Sequence, residues 1–305
     1  MSFRASCPSK IFLLGEYAVL AGGPALLASL APRFELECVS AGGYSFAELF
    51  SPLSPAGRLV ANTRELPEGL WRFTDRLEGR GGLGASSAQY VLAQQAMVSP
   101  KLDWKSIWRS FVELTSQGAI GIPPSGADVV SQVQGGVVCF DPARESVREI
   151  ASKLGPQILV FSTTTQVGRK VATHEHLAEL GKKGFPDAPW ARELVGGLSQ
   201  TVGAGVKAFE ANEIAALGHA FDQASSLLKA AGLECAETSA DRAAFKSVPG
   251  VLGAKGSGAL QSDALLVAYD GDEKNRIRIL ARARERGLSW LPSVLGEERG
   301  LECQF

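Results

Sequence analysis

Apolar and polar positions alternate with one period in the first part of the chain and with another later on. From Arg33 to Val39, Phe34, Leu36 and Cys38 alternate with Arg33, Glu35 and Glu37, the period-two pattern of a half-exposed antiparallel strand. Arg4 to Cys7 and Lys10 to Leu14 read as two short strands. The turn signal Gly22-Gly23-Pro24 between apolar runs predicts a hairpin whose first arm presents Lys10, Glu16 and Tyr17. Further on, Asp103 is placed to cap a helix with Trp104, Ile107, Trp108, Phe111 and Val112 on one face, a stripe expected to pack in the core. A charged stretch and a Gly-Pro pair then precede an apolar strand from Ile158 to Phe161, which sets a lobe boundary between 1–152 and 153–305. Beyond it the pattern predicts amphipathic helices over 188–210, 213–230 and 237–246, a strand over 264–269 and a basic helix over 273–286. Helices with interspersed antiparallel strands make the expected class α+β.

The densest chemical signal lies at 79–95. Gly79, Gly81, Gly82 and Gly84 form a loop with little to bury, followed by a run of good helix formers beginning at Ala85. A glycine loop feeding a helix N-terminus cradles anions, because unpaired backbone N–H groups and the positive end of the helix dipole point into it. Gly84 is accordingly expected to border space kept for a phosphate. The loop is not a Walker A motif, since no Gly-Lys-Ser/Thr closes it. Its G-x-G-x-x-G match is weak evidence for a dinucleotide fold, because 70–78 is too charged for a buried parallel strand. A flexible turn before a surface helix is the plain alternative. Ser86 and Ser87 add hydroxyls that can cap the helix, bind a phosphate oxygen or ligate magnesium. Gly250 to Ala259 reads as a second glycine-rich loop. Asp128, beside a glycine turn, reads either as an ordinary helix cap or as a functional acid.

Composition narrows the partners. With 305 residues, 45% hydrophobic content and a net charge of −1, the chain can bury a large core. It carries no basic footprint for nucleic acid and nothing that attracts an anionic membrane surface. Five scattered cysteines without C-x-x-C spacing argue against a disulfide framework or a zinc site. The early apolar patch is far too short for a secretory signal, so a soluble, cytoplasmic protein is expected. His174, His176 and His219 carry little: the first two cannot share a metal from one helix.

Four segments, Lys10 to Leu26, Gly82 to Ala88, Ser125 to Gly136 and Gly253 to Asp263, resemble in order the motifs of the GHMP kinases. Three local choices are most similar to the phosphomevalonate kinases. These are Gly15-Glu16-Tyr17-Ala18-Val19-Leu20, Gln117-Gly118-Ala119-Ile120-Gly121 with Ser125-Gly126-Ala127-Asp128-Val129, and Gly253-Ala254-Lys255-Gly256-Ser257-Gly258-Ala259. Mevalonate kinases typically have His after the first Glu, and a metal-binding Glu where this chain has Gln117. The chain departs from the family pattern at Ser9, where Gly is usual, and at Leu260-Gln261-Ser262, where glycines are favoured.

The resemblance implies a two-lobed fold, with a mixed-sheet N-terminal ATP-binding lobe and a ferredoxin-like C-terminal lobe. It implies ATP and Mg2+ as cofactors and a small-molecule alcohol or phosphomonoester as substrate, and it leaves a homodimer open. Gly81, Gly82, Leu83, Gly84, Ala85, Ser86 and Ser87 would hold the ATP phosphates, with Ser86 on magnesium. Lys10 and Asp128 would be catalytic. Glu16, Tyr17, Ser125, Lys170, Thr173, Lys255 and Ser257 would face the acceptor. Phosphomevalonate is the expected acceptor, mevalonate the alternative, and a nucleotide-binding pseudokinase the reading from outside catalysis.

Overall fold

The structure is a computed structural model that describes residues 3–98, 102–117, 121–151, 153–163 and 171–304. Strand β1 (Arg4–Leu14) turns through Gly22 into β2 (Ala25–Val39), and the two pair antiparallel along most of their length. The sequence suggested two strands here, but Pro8 does not end the strand. The pairing register shifts between Pro8 and Ser9, so a residue without an N–H is absorbed as an irregularity inside one long strand. Helix α1 (Pro55–Ala61) is capped by the Ser54 side chain, which accepts from Gly57 N–H. Strand β3 (Leu70–Thr74) pairs with β2, and α2 (Ala85–Met97) follows the glycine loop. Helix α3 (Trp104–Ser116) starts at Asp103, whose carboxylate accepts from the N–H groups of Lys105 and Ser106. Then come α4 (Ala127–Gln134), β4 (Val137–Asp141) and β5 (Ser146–Glu149).

The second half runs β6 (Ile158–Ser162), α5 (Thr173–Lys182), α6 (Pro189–Ala211), α7 (Ile214–Ala230), α8 (Ala236–Lys246), β7 (Val251–Ser257), β8 (Ala264–Tyr269), α9 (Glu273–Glu285) and β9 (Ser289–Leu291). Its sheet has the order β7-β8-β6-β9 with antiparallel neighbours, the split β-α-β arrangement of ferredoxin-like folds. The last strand, β10 (Glu302–Gln304), crosses back to pair with β1. Arg33 ties this return down by donating to the carbonyls of Arg299 and Gly300.

Two expectations are corrected. The first sheet, ordered β10-β1-β2-β4-β5 with β3 also on β2, is antiparallel at every described pairing and is not mixed. The predicted second glycine loop is mostly strand β7. A Cβ on Gly253 would lie 2.0 Å from the carbonyl oxygen of Gly218 in α7, so this glycine serves close packing of helix on strand.

Side chains of β2 point alternately into two cores. Leu26, Ala28 and Leu30 join a continuous core that runs through α6 and α7 to Leu266 and Ala268 of the second sheet. Ala25 and Leu27 face Trp108, Val130 and Phe140 on the other side. The predicted aromatic stripe of α3 is therefore packing, with Trp108 and Phe140 in edge contact at 5.4 Å. A further core of Phe161, Phe245, Leu265, Val267 and Ile279 backs the second sheet under α8 and α9.

Candidate active site

A cavity of about 590 Å³ opens where the glycine loop, β1, α4, α5 and the turn after β7 meet. Gly84 is the N-cap of α2 in the left-handed conformation (φ 92°) and offers no side-chain cap. The first helical bond runs from Ala88 N–H to Gly84 O, so the N–H groups of Ala85, Ser86 and Ser87 precede any intrahelical acceptor. The paired serines separate in role. Ser87 is buried and donates to Gly84 O at 3.0 Å, whereas Ser86 is exposed on the cavity. Leu83 is buried and meets the site only through its carbonyl, which accepts from Lys10 N–H at 3.1 Å.

Gly81, Gly82 and Gly84 of the loop are required by neighbours that the sequence did not reveal. A Cβ on Gly82 would lie 2.5 Å from Cβ of Asp263, and one on Gly81 would lie 2.8 Å from its Oδ1. A Cβ on Gly84 would meet Gln132 Nε2 at 2.8 Å and Lys10 Cγ at 3.0 Å. Gly84 lines the cavity, and its missing side chain also makes room for Lys10 and Gln132.

Lys10 and Asp128, remote in sequence, meet at this cavity. Lys10 Nζ lies 3.0 Å from Asp128 Oδ1, with the lysine side chain 5% exposed and the aspartate 36%. Lys10 is held on β1 and stands 4.8 Å over the ring of Phe12. Asp128 lies in the first turn of α4 and is not its cap, which is Gly126 in the left-handed region. Ser125 precedes it on the cavity wall, its carbonyl accepting from Trp108 Nε1 at 2.9 Å.

The acceptor side differs from the expectation. Glu16, Tyr17 and Thr173 line the cavity, but Lys255 and Ser257 do not. Lys255 is fully buried in β7, where its ammonium donates to Glu16 Oε1 and to Gly256 O. Burial lowers its pKa, an effect that the Glu16 carboxylate opposes. Lys255 therefore ties β7 to Glu16, just after β1, and is not an open cation on the cavity. Ser257 is buried in the same strand, and Lys170 lies outside the described residues.

The histidines, dismissed from the sequence, belong to the site. His174 and His176 both line the cavity, and His176 Nε2 is 3.0 Å from the hydroxyl of Tyr17. That hydroxyl also accepts from Leu260 N–H at 3.0 Å, and the tautomer of His176 sets whether Nε2 accepts the phenol proton or donates to the phenol oxygen. Burial, and then Lys183, holds His176 below the usual histidine range, and burial pushes the Tyr17 phenol upward. Asp263 is a further residue the sequence reading missed; it lines the cavity against the glycine loop. Its signal was present, an acid closing the segment Gly253 to Asp263.

No cluster of three or more His, Cys, Asp or Glu suited to a metal occurs among the described residues. Ser86, Asp128 and Asp263 nonetheless bring oxygen donors to the cavity. So sparse a set fits a hard ion such as Mg2+, which takes most of its ligands from phosphates and water.

No protein-family model and no curated protein matches the chain by sequence. Solved structures do match, over nearly the full length of both chains. A protein from Listeria innocua superposes with a TM-score of 0.77 at 15% identity, covering 100% of this chain and 99% of that one. Streptococcus pneumoniae phosphomevalonate kinase gives 0.73 at 18% identity, covering 98% and 99%. Lactococcus lactis galactokinase, complexed with galactose, gives 0.72 at 14% identity, covering 99% and 95%. At such identities the likeness is one of architecture, and by that architecture the chain has the α+β fold of the GHMP kinases.

Proposed function

We propose that the chain is an ATP-dependent small-molecule kinase whose acceptor is phosphomevalonate. The observation that carries this reading is the Lys10–Asp128 pair at 3.0 Å, set in a cavity onto which the uncapped N-terminus of α2 also opens. Phosphoryl transfer asks the protein mainly to position two anions and neutralise charge. The Gly79–Ser87 loop and the first N–H groups of α2 bind the phosphates of ATP. Asp128 takes the proton of the acceptor hydroxyl, and Lys10 keeps that carboxylate charged and offsets the negative charge that builds between donor and acceptor. Ser86 is the residue assigned to Mg2+, which when bound neutralises charge on the phosphates.

Phosphomevalonate is preferred because the three local motif choices agree on it and an acceptor phosphate needs cationic neighbours. Arg80 also lines the cavity and supplies one. Mevalonate is the second reading, favoured by the capture of Lys255 by Glu16, which withdraws a cation from the acceptor side. The proposed lobes are 1–152 and 153–305, with β10 returning to the first sheet. No helix among the described residues is long and apolar enough to cross a membrane. A coupled ADP-release assay with Mg-ATP, offering mevalonate and 5-phosphomevalonate in parallel, tests the assignment. Higher kcat/KM with phosphomevalonate is expected, higher kcat/KM with mevalonate moves the acceptor to the second reading, and no turnover with either moves the reading to homoserine-like or sugar acceptors or to a nucleotide-binding pseudokinase.

A further inference from the structure

Gln132 lies one helical turn beyond Asp128 on α4, on the same face, and is fully buried. Its Nε2 donates to Gly84 O at 2.9 Å and to Pro8 O at 3.2 Å. One contact is the N-cap residue of the anion-binding helix, and the other lies on β1 two residues before Lys10. Both partners are carbonyl oxygens, so only the amide nitrogen can face them and the side chain has a single workable orientation. Its Oε1 is buried without a partner among the described residues. An apolar side chain of equal length would avoid that orphaned oxygen, so packing alone does not explain a glutamine here.

Three links close a triangle. Lys10 N–H to Leu83 O joins β1 to the glycine loop, and the two bonds of Gln132 join α4 to both. Resting on the kinase reading above, we infer that Gln132 is a positioning residue, which fixes Asp128 on α4 relative to the phosphate-binding loop and to Lys10. Without it the loop keeps its own bond to β1, so the nucleotide still binds. Asp128 loses its register to the phosphate cradle, and displacements near 1 Å at a reacting centre cost on the order of 100-fold in rate.

The test uses the full chain with Gln132→Met and Gln132→Glu. For Gln132→Met, kcat is expected to fall about 100-fold while the ATP Kd by calorimetry rises less than about threefold and the Tm stays within a few degrees of the wild type. Gln132→Glu introduces a carboxyl that can donate one of the two bonds only when protonated. Its kcat relative to wild type should therefore recover by about tenfold from pH 8 to pH 6, a change that Gln132→Met does not show. Lys10 on β1 and Asp128 on α4, the charged pair on the two elements this side chain bridges or sits on, are retained in each variant. Unchanged kcat in Gln132→Met, or kcat and ATP affinity falling together with Tm, overturns the positioning role. Wild-type protein that binds ATP yet phosphorylates no offered alcohol refutes the kinase reading and this inference with it; an active wild type with an equally active Gln132→Met refutes the inference alone.

Discussion

Replacing Lys255 by Met removes one partner of a buried ion pair that joins the two halves of the molecule. Lys255 is 0% exposed and Glu16 9%, and the only other described side-chain donor near the carboxylate is Gln261 Nε2, at 3.5 Å. Removing one member of such a pair typically costs about 3–5 kcal/mol, because the remaining charge stays desolvated. Glu16 borders the cavity, so water reaches one side of it, and the cost falls just below that range, about 2–3 kcal/mol. For a chain of this size that corresponds to a loss of roughly 3–5 °C in Tm. Substituting both partners, Glu16→Gln with Lys255→Met, removes the stranded charge. The double variant should recover to within about 1 kcal/mol of wild type, since a buried pair and its neutral replacement are often close in energy. Urea and thermal unfolding followed by tryptophan fluorescence, arranged as a double-mutant cycle, give the coupling directly. A loss below about 1 kcal/mol, or a double variant no better than Lys255→Met, would refute the view that this pair ties β7 to the segment after β1.

Other expectations follow from the same site. Ser87→Ala should lose about 0.5–1.5 kcal/mol of stability with its bond to Gly84 O, whereas Ser86→Ala should leave stability unchanged and lower the apparent magnesium affinity of turnover, read by metal titration of kcat. Gly84→Ala should lower stability by about 1–3 kcal/mol and activity together, because the residue has φ 92° and its Cβ would press on Gln132 and Lys10; a stable, active Gly84→Ala contradicts the packing. The folded-state pKa of His176 is depressed, so between that value and the unfolded value of about 6.5 the unfolded chain binds more protons. Its contribution to stability is therefore present above that window and is lost as pH falls through it. His176→Gln keeps an acceptor for Tyr17 but does not titrate, and should flatten the stability difference between pH 7.5 and 5.5; an unchanged difference removes His176 as its source.

The sequence was most informative where one local rule decides. Asp103 capped α3 as its spacing required, the apolar run of 264–269 is strand β8, and the loop from Gly79 leads into α2. What it could not show are the places where distant backbones meet. The glycines at 253, 81 and 82 look like loop or phosphate signals, yet their missing side chains are needed by Gly218 and by Asp263, which no local pattern announces. Lys255 reads as an open cation within a glycine-rich stretch, and only the pairing of β7 with β8 turns it inward toward Glu16. His176 carries no local signal of a role until α5 brings it to Tyr17. Leu260 and Gln261, where the resembled motif has glycines, stand in the left-handed region at φ 49° and 58°, so the turn keeps a glycine-like backbone without the residues that adopt it easily.

The central claim is that Lys10 and Asp128 form the phosphoryl-transfer centre, and Asp128→Asn tests it most directly. In one experiment, ATP affinity is measured by calorimetry and ADP formation by single-turnover quench with Mg-ATP and phosphomevalonate. The account predicts an ATP Kd close to wild type and a rate reduced by about two to four orders of magnitude, the range for loss of a positioned proton acceptor. A folded Asp128→Asn protein that forms ADP at the wild-type rate would contradict it.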